Sequence, residues 1–112
     1  MTLSADSILK PMIVAAKVAF ADSWEEVESY TVPELEKIAT TIVDIEANVA
    51  EHNYTQEVAD LMLRMQMRAT QAVIVSTTGL ILLQVEKALN EALAAVAVVV
   101  NKAVGFPLVT TA

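Results

Sequence analysis

The chain has 112 residues, 55% of them hydrophobic and only 19% charged, with a net charge of −7. So apolar a composition excludes disorder, and fourteen acids against seven bases argue against direct binding to a phosphate backbone. Cysteine is absent, which excludes disulfides, thiolate catalysis and cysteine-ligated metal centres.

A domain of this length still exposes roughly a third of the surface of its unfolded chain. Few charges are available to cover it, so another chain or lipid is expected to bury part of it. The charges are also one-sided. Residues 1–57 hold eleven acids and three bases, whereas residues 58–112 hold three acids and four bases. An acidic outer layer over an apolar inner one is the simplest arrangement. The N-terminal run carries Asp6 where an export signal would carry bases, so no signal peptide is expected.

Two glycines and three prolines leave little punctuation, which predicts long helices. The first is expected from about Ser4 to about Val27, capped by Ser4 or Asp6. Its stripe is Leu9, Ile13, Ala16, Phe20, Trp24 and Val27. Val14 and Val18 lie off that stripe and suggest cover on a second side. Thr31-Val32-Pro33-Glu34 has the form of a capping box with proline in the first turn, so a second helix is expected to start there. Leu35, Ile38, Ile42, Ile45 and Val49 then make a heptad seam.

Asn53 or Thr55 is the expected cap of the next helix. From there two apolar faces run to Val104. Val58, Leu61, Met62, Met65, Ala69, Ala72, Val73 and Ser76 share one, and Ile81, Val85, Ala88, Leu89, Ala92, Val96, Val99 and Ala103 share the other. Ser76-Thr77-Thr78-Gly79 lies between them. As a turn it gives a four-helix up-down bundle. As helix it gives one rod of roughly 50 residues and about 75 Å. The uncharged flanks favour the rod, and the β-branched residues around it allow a hairpin as a third option. Gly105 and Pro107 end the last helix, and residues 105–112 are expected to form a short tail frayed at its end.

Chemistry is sparse. His52, the single histidine, has valine three residues before it, so the Glu-x-x-His of carboxylate-bridged metal bundles is absent. Asp22, Glu25, Glu26 and Glu28 lack the glycine of a calcium loop and read as a solvated helix end. Met62, Met65 and Met67 with Arg64 and Arg68 suit an adaptable helix interface. Ala69–Val85 is 17 residues without a charge, near the lower limit for a membrane span, but without an aromatic belt. No nucleophile elbow, phosphate loop or dinucleotide fingerprint occurs.

The segments Thr77-Thr78-Gly79-Leu80, Val85-Glu86-Lys87-Ala88-Leu89-Asn90-Glu91-Ala92-Leu93 and Val100-Asn101-Lys102-Ala103-Val104-Gly105-Phe106 resemble short helical proteins of unassigned function encoded by phages and prophages. That resemblance implies no activity and no site residue. It points towards a virion or phage-assembly component.

The sequence thus predicts a single all-α domain or subunit, either three helices with a long last one or a four-helix bundle broken near Gly79. A structural homo-oligomer is expected, not an enzyme, with no cofactor and no metal. Its candidate interface is Met62, Met65, Ala69, Val73, Ile81, Val85, Leu89 and Val96. Localisation is expected to be cytoplasmic or virion-associated. A membrane-active protein inserting residues 69–104 into a bilayer is the alternative.

Overall fold

Ser4 starts the first helix, its hydroxyl accepting from the Ser7 amide at 3.2 Å. Helix α1 then runs over Ala5–Phe20 in the computed structural model, which describes residues 3–110. A 3-10 turn at Ala21–Ser23 leads into α2, Trp24–Ala50. Helix α3 covers Gln56–Thr78, α4 Leu82–Ala94 and α5 Ala97–Val104. No strand occurs among the described residues, so the hairpin option falls away.

The helices form an up-down bundle. Leu3 donates its amide to Oε1 of the buried Glu46 at 2.8 Å, which ties the start of α1 to the far end of α2. Thr41 of α2 lies 3.4 Å from the carboxamide oxygen of Gln66, midway along α3. Helix α1 packs on α2 and α4, α2 packs on α3, and α5 packs back on α2. The molecule measures 41 × 24 × 21 Å, far shorter than the rod would be.

Gly79 decides that question. Its φ is 73°, left-handed, and its amide closes α3 by donating to the Val75 carbonyl at 3.0 Å. The rod over residues 55–104 does not form; the chain breaks at Gly79, as in the four-helix option, and a further break before Ala97 adds the short α5. The turn needs no flanking charge because its own hydroxyls satisfy it. Thr77 donates to the Val73 carbonyl at 2.8 Å, Thr78 to that of Ile74 at 2.6 Å, and Thr78 accepts from the Leu80 amide at 3.2 Å.

The first connection also differs from expectation. The first helix stops at Phe20, not Val27, and the second begins at Trp24, not Thr31. The corner is made by Ala21, at φ 52° and ψ −121°, a conformation that glycine adopts far more easily. Phe20 and Trp24 stack across it with centroids 6.2 Å apart. Thr31-Val32-Pro33-Glu34 lies in the interior of α2. Thr31 is buried, its hydroxyl has no hydrogen-bond partner among the described residues, and Glu34 pairs with Lys37 at 2.7 Å. Burial of Trp24, Val27, Leu35, Ile38, Ile42 and Ile45 along one face holds the helix together through Pro33.

A second unpunctuated break lies at Ala95–Val96, where φ of Val96 is −116° and ψ is 1°. Gly105 then closes α5 at φ 87°. The segment after it does not fray over its described residues. Asn101 donates its carboxamide N–H to the Val109 carbonyl at 3.0 Å and accepts from the Val109 amide at 2.8 Å. Leu108 and Val109 are buried, beside Leu63 and Met67 of α3 and Leu93 of α4.

Candidate functional site

Helix α3 is apolar on two opposite faces. Thr55 caps it, accepting from the Val58 amide at 3.2 Å. Ala59, Leu63, Met67, Thr70 and Ile74 recur at three- and four-residue steps and are buried against the bundle. At about 100° per residue, the opposite face carries Val58, Leu61, Met65, Ala69, Ala72 and Ser76. That face is in the open: Leu61 is 52% exposed and Met65 58%. An ordinary amphipathic helix is polar there.

Both flanks of this outer stripe are identified by what they adjoin. Met62, Gln66 and Ala69 share a cleft with Thr41 of α2. Arg64 and Arg68 share another, of about 360 Å³, with Asn90 and Leu93 of α4 and with Leu108, Val109 and Thr110. Arg64 is held by Asp60 one turn before it. Glu57 and Arg68 are exposed and form no ion pair among the described residues.

The candidate interface of the sequence is therefore divided by the fold. Met65, Ala69 and Val73 are exposed on α3, and Met62 is half-buried at its edge against α2. Ile81 is exposed in the α3–α4 connection. Val85, Leu89 and Val96, by contrast, are buried in the core of the chain itself. The sequence put them on a second apolar face after Gly79, and the turn there folds that face inward.

A second apolar area lies at the Gly79 end of the bundle. Ile81, Leu82 and Leu83 are exposed there, and Ala19 of α1 shares a cleft with Ile81 and Leu83. Val14 and Val18 are exposed on α1, Val18 to 75%. Helix α1 is thus covered by α2 and α4 of its own chain, and Val14 and Val18 lie outside that cover.

Neither titratable cluster assembles a reactive centre. His52 sits in the left-handed position after α2, at φ 62°. Its amide donates to the Val49 carbonyl and that of Asn53 to the Asn48 carbonyl, the Schellman pattern. It is exposed, and no group of three acids or histidines able to hold a metal occurs among the described residues. Glu25 and Glu26 occupy the first turn of α2, where the helix dipole favours them, and they face solvent. No helix among the described residues is long and apolar enough to cross a membrane.

The signal that identifies the outer face was present in the sequence, since Val58 to Ser76 is the stripe read there. What was not legible was that a second stripe, Ala59 to Ile74, would take the core. Compared with known proteins, the chain matches no family model, no curated protein and no solved structure.

Proposed function

We propose that this protein is a structural subunit that assembles with copies of itself through the outer face of α3. The observation that carries this reading is the double apolar character of α3: one face fills the bundle, and the other holds Val58, Leu61 and Met65 open to solvent. Contiguous exposed apolar area of this kind marks an interaction surface. Methionine at its centre adapts to a partner's contour, and Ala69, Ala72 and Ser76 let a second backbone approach closely. The resemblance of the C-terminal segments to phage- and prophage-encoded helical proteins supports a virion or assembly component as the setting. Light scattering over a concentration series tests the reading. Wild-type mass should rise above that of one chain, and Met65→Glu should hold it at one chain while leaving helix content unchanged. Equal masses for the two proteins would refute it.

Insertion of residues 69–104 into a bilayer is the second reading, and exposed Ile81, Leu82 and Leu83 favour it. It ranks lower because Ile74, Val85, Leu89 and Val96 in that segment already fill the core. Flotation with vesicles of phosphatidylcholine and phosphatidylglycerol separates the two: co-flotation abolished by Leu83→Glu, but not by Met65→Glu, supports the bilayer.

A further inference from the structure

The charges beside the outer stripe of α3 say how a second copy sits on it. Glu57 lies at the N-terminal end of the stripe and Arg68 eleven residues on, and both fall on the flank towards α4 and the C-terminal segment. The opposite flank carries no charge on α3 itself, Met62, Gln66 and Val73 being uncharged, while Glu36 and Lys37 of α2 border it at Gln66. When two helices pair antiparallel across a two-fold axis, each flank meets the same flank of its partner. When they pair parallel, each flank meets the other one.

The geometry points to an antiparallel, two-fold contact between α3 and α3 of a second copy, in which Glu57 faces Arg68 of the partner subunit and Arg68 faces the partner's Glu57. This inference rests on the assembly reading above and specifies it. The same register sets Leu61 against Met65 of the partner subunit, because the midpoints of the two residue pairs differ by only half a residue. Apolar seam and charged flank therefore agree on one alignment. Parallel pairing would leave Glu57 facing no cation of α3 and would set Arg68 beside both the anion and the cation that border Gln66. Arg64, already held by Asp60, lies near the two-fold axis with its charge balanced within its own chain. The twelve residues from Glu57 to Arg68 span about 18 Å of helix. So short a seam makes a modest interface whose strength depends on its charges and on salt.

Charge reversal in the full-length protein tests this. Glu57→Arg and Arg68→Glu should each weaken self-association roughly tenfold, because symmetry turns two attractive contacts repulsive at once. The mixture of the two single variants is the decisive sample. The Glu57→Arg chain then offers two cations to two anions of the Arg68→Glu chain, and mixed dimers should form at least as tightly as the wild type. The double variant should also recover. Local damage to α3 cannot produce such a rescue. If the singles weaken association and the mixture fails to recover, the antiparallel alignment is wrong. If both singles associate like the wild type, the contact lies elsewhere and only the assembly reading survives. A wild type that stays at the mass of one chain overturns both.

Discussion

Four described residues hold positive φ, and Gly79, Ala21 and His52 among them outline what the backbone asks of single side chains. Gly79 sits at φ 73° with no atom within 4 Å of where a Cβ would stand, so a substitution there meets backbone strain and no clash. Gly79→Ala should cost about 1 kcal/mol, and Gly79→Asn should cost less, because asparagine tolerates the left-handed region. Urea denaturation of the three proteins checks the order. This reverses what the rod required, where alanine would have been the better residue. Ala21 and His52 give the opposite sign. Both hold positive φ without being glycine, at 52° and 62°. Ala21→Gly and His52→Gly should each raise stability, by about 0.5–1 kcal/mol, through relief of that strain. A fall in melting temperature for either would contradict the corner or the cap described here.

At the scale of elements, α2 shows how a strong local motif can mislead. Thr31 to Glu34 satisfies the pattern of a capping box, yet Trp24, Val27, Thr31, Leu35, Ile38, Ile42, Ile45 and Val49 keep three- and four-residue steps straight through it. That unbroken period was the better guide, since core burial along 27 residues outweighs one preferred cap. Thr31→Val should therefore stabilise the protein by about 1 kcal/mol, by replacing a buried, unpartnered hydroxyl with a methyl. A cap residue would lose stability on the same change, so the sign of the shift in the denaturation midpoint is the readout. The seam of α2, the Ser4 and Thr55 caps and the Gly105 stop were legible because propensity, capping and period agreed there. The corner at Ala21 and the break at Ala95–Val96 were not, since neither has glycine or proline and tertiary packing alone imposes them. Asn101 belongs with these: in the sequence it only interrupts an apolar run, while in the fold its carboxamide holds both backbone groups of Val109. Asn101→Ala should cost about 1–3 kcal/mol and release the segment after Gly105, seen as faster hydrogen exchange at the Val109 amide. Unchanged protection there would show that Leu108 and Val109 are held by burial alone.

For the whole molecule, the excess of apolar residues over the needs of one core is the unifying feature. The bundle buries a full set of side chains from Leu3 to Val109 and still leaves Leu61, Met65, Ile81, Leu83, Val18 and Val98 exposed. Composition announced that excess, and the fold locates most of it on α3 and at the Gly79 end, with Val98 apart on α5. Two separate apolar areas allow copies to join at more than one place, which suits a subunit that builds an extended assembly. Sedimentation equilibrium of the wild-type protein in plain buffer, from low micromolar to near-millimolar concentration, tests the central claim most directly. Assembly through α3 predicts a mass that climbs to twice that of one chain or beyond. A mass that stays at one chain across the whole range would contradict it.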